Sequence, residues 1–297
     1  MKSLRIYGIF ALIATLTFGM LAQPMAASAE TNTTVVTLGA DLTQEQRNAM
    51  LQEMEVDSNV ETIDVSIEDI RQYLTGNTGG GTPAAGSNKA YSSAKITLTK
   101  EGSGIKVIAK NVTRVTEPMY ANALVTAGIT DADIYVTSPE PVTGTAALTG
   151  IMMAFEEATD QEISQEQREV ANEEIIQTSK LGEAIGDPDK AAQFMTQVKE
   201  EIAKEQPKSE EEVRNIVINV AGDLNINLNE TNINEVTNVM YKFSQLNIDW
   251  SAFSDQLNKL KDEWESLISS EEAKGFFDGF LAWLSDLWES IKSLFSS

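Results

Sequence analysis

The sequence predicts an α+β protein, with a small mixed sheet in its N-terminal part and an all-helical C-terminal part. Short runs of alternating apolar residues, typical of strands, are separated by helix starts up to about residue 157. From Ile163 onwards, apolar residues recur at helical spacing instead. Glycine and proline mark most boundaries between these runs, so the order of the elements can be predicted along the chain.

Most predicted helix starts carry a short polar side chain that can cap the first turn. The spacing of a capping box, Ser or Thr followed three residues later by Gln, Glu or Asp, occurs at Thr43, Ser66, Ser164 and Ser209. Further helices are expected after Thr116, Thr143 and Asp187, with Pro118 and Pro188 in the first turns of two of them. The predicted strands are 34–38, 60–65, 94–99, 105–109 and 134–136.

Two glycines in the middle of the chain predict a hairpin. Gly102 and Gly104 lie between the strands 94–99 and 105–109, and glycine readily adopts the positive φ angles of tight turns. The next helix leads from 105–109 to 134–136. A strand–helix–strand step of this kind places its two strands parallel in one sheet.

Small residues crowd the start of the helix predicted at 144–157, including Ala146 and Gly150. They favour close packing of this helix against the sheet. An anion site is the alternative, because N–H groups at a helix N-terminus attract negative charge. Packing is the preferred interpretation, since no Lys or Arg lies between residues 138 and 153 and the P-loop pattern is absent.

Two stretches of this segment, TEPMYANALVTAGI from Thr116 and PVTGTAALTGI from Pro141, resemble a known family. It is the family of YpuA-like secreted proteins of Bacillus and its relatives, grouped as domain of unknown function 1002. The resemblance runs from VVTLGADLTQEQR near the mature N-terminus to the helix after residue 224. It implies an exported or envelope location, no assigned activity and no known catalytic residues. The Gly-rich stretch 76–86 and an Asn-rich helix start near residue 229 depart from the family pattern.

These patterns divide the chain into four regions. Residues 1–29 are predicted to be a signal peptide, and 30–158 a mixed α/β region with a flexible Gly-rich loop at 76–86. A helical region is predicted at 159–248. Residues 249–297 are predicted to form an amphipathic helical hairpin rich in Trp and Phe.

The N-terminus has each part of a signal peptide. It opens with basic residues, continues with an apolar stretch to Ala22 and ends in an A-x-A cleavage site at Ala29, which gives a mature N-terminus at Glu30. The protein is therefore expected to be secreted, and the family resemblance implies a location at the envelope of a Gram-positive bacterium. A retained membrane anchor is the alternative.

Composition excludes several kinds of chemistry. The 297 residues include no Cys and no His, which excludes disulfides, thiol catalysis, Cys/His zinc sites and the Ser-His-Asp triad. Asp and Glu number 45 against 22 Lys and Arg, and the resulting net charge of −23 disfavours binding to nucleic acid. No cofactor is expected.

Calcium is the one metal ion for which the sequence offers a candidate binding stretch. The stretch from Asp223 to Asn229 places oxygen side chains at alternating positions, like the start of an EF-hand loop. However, Leu228 stands where that loop needs Gly, and its final acid is one residue late, at Glu235. The stretch is therefore interpreted as a connector between two helices.

The C-terminal hairpin carries all four tryptophans of the chain. Helices are predicted at 249–269 and 271–295, each with one apolar stripe and a polar face whose charges argue against a membrane span. The stripes either pack on the rest of the protein or bind a lipid surface, a protein partner or a second copy of the chain. The candidate interaction surface comprises Phe276, Phe280, Trp283, Leu287, Trp288 and Ile291.

Together these observations predict a secreted, non-enzymatic protein of the cell envelope that acts through protein, cell-wall or lipid-surface contacts. The alternative is a hydrolase of cell-wall glycans that uses two carboxylates. Glu140, in the loop after the strand 134–136, is the first candidate for such a carboxylate.

Overall fold

A computed structural model describes the chain at residues 33–57, 59–75 and 89–269, without the side chains of residues 75 and 262–269. The strands are β1 (Thr34–Gly39), β2 (Glu61–Val65), β3 (Ser93–Leu98), β4 (Ile105–Ala109) and β5 (Ala132–Thr137). The helices are α1 (Gln44–Glu53), α2 (Ile67–Thr75), α3 (Glu117–Thr126), α4 (Thr145–Thr159), α5 (Gln165–Ile185), α6 (Pro188–Glu205), α7 (Glu210–Asp223), α8 (Glu230–Ser244) and α9 (Trp250–Ser269).

The five strands form one mixed sheet in the order β2-β1-β3-β5-β4. β1 pairs in parallel with β2, and β4 pairs in parallel with β5. Each parallel pair is connected by one helix, α1 or α3. β3 lies between the two pairs and is antiparallel to β1 and to β5. The predicted α+β class and the predicted parallel pairing of β4 with β5 are confirmed.

The hairpin predicted between β3 and β4 is wrong, because β5 inserts between these two strands. Their connection therefore has to cross the width of β5. Asp131, just before β5, holds the connection: its side chain accepts a hydrogen bond from Gly104 N at 2.8 Å, and its carbonyl accepts one from Thr99 N at 3.1 Å. Gly102 and Gly104 do adopt positive φ angles of 87° and 78°. The two glycines thus form the predicted turn, but residues near a turn do not determine which strands become neighbours in the sheet.

Helices cover both faces of the sheet. On one face, Met50 of α1 and Met54 cluster with Val36 and Leu38 of β1. On the other face, α4 packs on β1 and β3, and α3 packs on β4. Gly150 of α4 permits a close approach, since a Cβ there would lie 2.8 Å from the hydroxyl of Thr37. The small residues of α4 thus pack on the sheet, as predicted.

Most predicted caps form. A side-chain oxygen accepts a hydrogen bond from the backbone N–H three residues later at Thr43, Ser66, Ser164, Asp187 and Ser209. Thr116 is the N-cap residue of α3 but makes no such bond. The predicted cap of α4 at Thr143 is wrong by one residue, because the cap is Gly144.

The helices from α5 to α9 continue the core of the sheet region. A single cluster of buried apolar residues extends from Val35 of β1 to Leu260 of α9. α9 packs on α3 and α6 and buries Phe253 and Leu257, so the described part of its apolar stripe faces the protein. In the described part of the chain, no helix is both long and apolar enough to span a bilayer.

Candidate functional site

A cleft of about 270 Å³ lies where α2, α5 and the start of α4 meet. Among the described residues, four segments line it: Ile67, Ile70 and Leu74 of α2; Glu140 to Ala146, which lead from β5 into α4; Lys89, Tyr91 and Ser92, which precede β3; and Asn172 of α5. The cleft therefore depends on the packing of elements that are distant in sequence.

Backbone hydrogen bonds fix the rim of the cleft that leads into α4. Val142 N donates to Asn111 O at 3.0 Å, and Thr113 N donates to Val142 O at 2.9 Å, so the segment after β4 runs beside this rim. The side-chain amide of Asn111 also donates to Ser138 O at 2.7 Å. Through these bonds the sheet edge holds the residues from 138 to 142 in place.

Gly144 completes this rim. Its φ angle of 99° lies in the region that favours glycine. The buried Tyr120 of α3 donates its hydroxyl proton to Gly144 O at 2.6 Å. A Cβ at position 144 would lie 2.4 Å from Val112 Cγ1 and 2.6 Å from the Tyr120 hydroxyl oxygen. The positive φ angle and these close contacts explain why the N-cap position of α4 is occupied by glycine.

Asp41 holds another rim of the cleft, in front of β3. Its side chain accepts a hydrogen bond from Ala90 N at 2.6 Å, and its own N–H donates to Ala90 O at 3.2 Å. On this rim Lys89 Nζ donates to the Tyr91 hydroxyl at 3.0 Å, and this bond raises the pKa of Lys89. The two side chains are thus held against each other at the cleft.

Four polar side chains of the lining make no hydrogen bond within the described chain: those of Ser92, Thr143, Thr145 and Asn172. All four are half-buried. None of their polar atoms is among the fully buried unpaired atoms of the described chain, so these groups remain open to solvent in the cleft. Their donors and acceptors are therefore available to a ligand or to water in the cleft.

The cleft carries little net charge. Among its described lining residues, Lys89 is the cation and Glu140 the carboxylate, and both are exposed. Glu140 is near enough to contribute to the raised pKa of Lys89, after the larger effect of Tyr91. Neither here nor elsewhere in the described residues do three acidic side chains gather in a group that could hold a metal ion.

A second polar cluster is sealed inside the helical layer. Lys199 of α6 and Glu174 of α5 are 0% and 1% exposed, and they form an ion pair of 2.7 Å. The ammonium group also donates to Asn122 O at 2.8 Å and to Thr126 Oγ1 at 3.0 Å. Thr126 in turn donates to the other oxygen of Glu174 at 2.5 Å. Burial lowers the pKa of Lys199, and the carboxylate of Glu174 opposes that effect.

Aromatic rings enclose this ion pair. Lys199 Nζ lies 5.8 Å from the ring centroids of Phe243 in α8 and Phe253 in α9. These two rings pack 5.1 Å apart, with Trp250 against both. Lys199 thereby joins five helices, α3, α5, α6, α8 and α9. Because the pair is closed to solvent and all three of its ammonium donors are used, we assign it a structural role.

A third polar cluster anchors the end of α1. Glu53 Oε1 accepts hydrogen bonds from the hydroxyls of Tyr135 and Thr137, both at 2.9 Å, and lies 3.2 Å from Lys110 Nζ. Burial alone would raise the pKa of Glu53, but these three partners outweigh it and lower the pKa overall. The cluster joins α1 to β5 and to the residue after β4.

The structure describes part of the predicted site. Glu140 lies in the cleft lining. The candidate interaction surface between Phe276 and Ile291 lies outside the described residues and stays a prediction. The stretch from Asp223 to Asn229 connects α7 to α8, with Asn229 as the N-cap residue of α8. A calcium role for this stretch also stays a prediction.

Sequence analysis missed Asn172 and the Lys199–Glu174 pair. Lys199 falls on the apolar stripe of α6 beside Val198 and Ile202, and a lysine in such a stripe signals a buried partner. The sequence of α6 therefore contained a signal for the buried ion pair. The sequence around Asn172 gives no such signal, because Asn172 reaches the cleft only through the packing of α5 on α2 and α4.

The described residues form an α+β protein with a cleft beside the sheet, and comparison of the sequence places the chain in a family of unknown function. The profile of the family described as "Protein of unknown function (DUF1002)" matches residues 38–260, and the chain belongs to this family. A relative from Bacillus subtilis strain 168, described as "Uncharacterized protein YpuA", is 38% identical over 277 residues, which cover 93% of this chain and 94% of the relative. No solved structure matches the chain.

Proposed function

We propose that the protein is exported and binds a component of the bacterial cell envelope in the cleft, without catalysing a reaction. The observation that carries the proposal is the cleft itself, whose four unpaired polar side chains lie beside an apolar wall from α2. Ligand pockets commonly combine apolar walls with a few polar groups that fix the orientation of the ligand. The signal peptide predicted to end at Ala29 supports export.

The lining favours binding over hydrolysis. Glycoside hydrolases need two carboxylates about 5–9.5 Å apart, on either side of the scissile bond. Glu140 is the one Asp or Glu among the described lining residues. A single exposed carboxylate does not supply an acid and a base or nucleophile, so we assign Glu140 to the cleft mouth and not to catalysis.

Co-sedimentation with purified Gram-positive cell walls tests the proposal. The wild-type protein is expected to pellet with the walls. A variant with Asn172→Ala and Thr143→Val should pellet several-fold less, because it loses two of the unpaired polar groups. Asn219→Ala is the matched control, since Asn219 is an exposed residue of α7 outside the cleft. The proposal fails if the cleft variant pellets like the wild type.

A chain that ends at Ser269 separates the cleft from the predicted C-terminal interaction surface. If the cleft is the binding site, this shortened chain still pellets with the walls and still responds to the cleft substitutions. If only the full chain pellets, and the cleft substitutions have no effect on it, then the C-terminal stripe makes the contact and the cleft does not.

A further inference from the structure

We infer that the ligand of the cleft is an uncharged carbohydrate, such as a segment of a glycan chain. The inference rests on the proposed function and narrows it to one class of ligand.

The polar groups of the lining match the edge of a sugar ring. Ser92, Thr143 and Thr145 offer hydroxyls, and Asn172 offers an amide, so each side chain can both donate and accept a hydrogen bond. Sugar hydroxyls have the same double capacity. Such pairs bury no charge, and therefore avoid the large desolvation cost of an ionised ligand.

The apolar groups of the lining match the face of a sugar ring, which consists of C–H groups. Ile67, Ile70 and Leu74 present one aliphatic wall, and the ring of Tyr91 also borders the cleft. A ligand with hydroxyls on its edge and C–H groups on its faces can contact both kinds of lining at once. Fatty chains would leave the four polar side chains unpaired.

The volume fits a short part of a polymer. At about 30 Å³ per water molecule, a space of about 270 Å³ holds roughly nine water molecules. The same space accommodates about one to two sugar rings. Lys89 and Glu140 of the lining are both exposed, so we place the exit of a longer chain beside them.

The charge of the cleft disfavours anionic ligands. Lys89 is the one cation among the described lining residues; it donates to the Tyr91 hydroxyl, and the negative charges of Asp41 and Glu140 also act on it. Phosphate sites commonly use arginine forks or several cations. The net charge of −23 also repels polyanions at long range.

The position of the cleft disfavours an extended peptide. Proteins often hold extended peptides by adding them to a free sheet edge. The edge strands of this sheet are β2 and β4, and neither contributes a residue to the described lining. The lining is made of helices and of the segments that join them to the sheet.

Calorimetric titration of the purified protein with four probes tests the inference. The probes are tetra-N-acetylchitotetraose, cellotetraose, a glycerol phosphate polymer and tetra-alanine. At least one of the two neutral glycans should bind, and the polymer and the peptide should not. Asn172→Ala should weaken glycan binding about threefold to tenfold, as expected for the loss of one or two neutral hydrogen bonds. Asn219→Ala should leave it unchanged.

The outcomes distinguish the inference from the proposed function. If the protein pellets with walls in a cleft-dependent way but binds the phosphate polymer or the peptide in preference to both glycans, the carbohydrate inference is wrong and the proposed function stands. The inference is also wrong if neither glycan binds, or if Asn172→Ala leaves glycan binding unchanged. If walls bind without any effect of the cleft variant, the proposed function itself fails.

Discussion

Replacing Lys199 with methionine is expected to destabilise the protein by about 3–5 kcal/mol, because Glu174 would remain buried without its partner. The expected loss of stability is this large because the side chains of Lys199 and Glu174 are 0% and 1% exposed. The unpaired carboxylate of Glu174 would therefore be shielded from water. Urea unfolding followed by circular dichroism measures the loss. It should appear as a lower midpoint, with the slope unchanged if the variant unfolds in the same cooperative way.

The double variant Lys199→Met with Glu174→Leu separates the ion pair from its packing. Apolar residues of similar volume can replace a buried ion pair at little cost, so the double variant should regain most of the stability that Lys199→Met loses. Lys242→Met is the control. Lys242 pairs with Glu173 at 2.7 Å, but both side chains are partly exposed, and its loss should cost at most about 1 kcal/mol. Equal losses for Lys199→Met and Lys242→Met would contradict the structural role assigned to Lys199.

Gly144→Ala is expected to destabilise the protein by about 2–5 kcal/mol, through backbone strain at positive φ and through overpacking. The added Cβ would lie 2.4 Å from Val112 Cγ1 and 2.6 Å from the Tyr120 hydroxyl oxygen. Because Gly144 also lines the cleft, the variant should bind cell walls less well. The same urea titration and wall sedimentation measure both effects.

Gly186→Ala is the matched control for Gly144→Ala. Gly186 has a φ angle of 75°, but a Cβ there would meet no atom of the described residues within 4 Å. The control therefore carries the backbone strain without the overpacking, and it should cost less than Gly144→Ala. If the two substitutions cost the same, the close contacts at the start of α4 are not what makes glycine necessary there.

Local signals in the sequence predicted much of the fold. Capping residues located most helix starts, including Ser164 and Asp187, and short β-rich runs, one of them with period-two alternation at 94–99, located the five described strands. These signals succeed because caps and amphipathic patterns act between residues that are close in the chain. The insertion of β5 between β3 and β4 is a choice among distant strands, and the residues near Gly102 carry no information about it.

The cleft was only partly predictable for the same reason. The sequence singled out Glu140 in the loop after the strand 134–136, and the structure places this loop in the lining of the cleft. Asn172 lies in the next helix, on a face without an unusual pattern, and it joins the cleft through tertiary packing alone. The Lys199–Glu174 pair was predictable only in part. The sequence shows a charged residue on each apolar stripe, but it does not show which residues these two contact.

Hydrogen exchange of the purified protein, with and without soluble cell-wall fragments, tests most directly whether the cleft is the binding site. Ligand contact slows amide exchange by restricting local opening. The account predicts slower exchange in peptides that cover residues 140–146 and in the peptide that contains Asn172. Protection confined to residues 270–297, or no protection in any peptide, would contradict it.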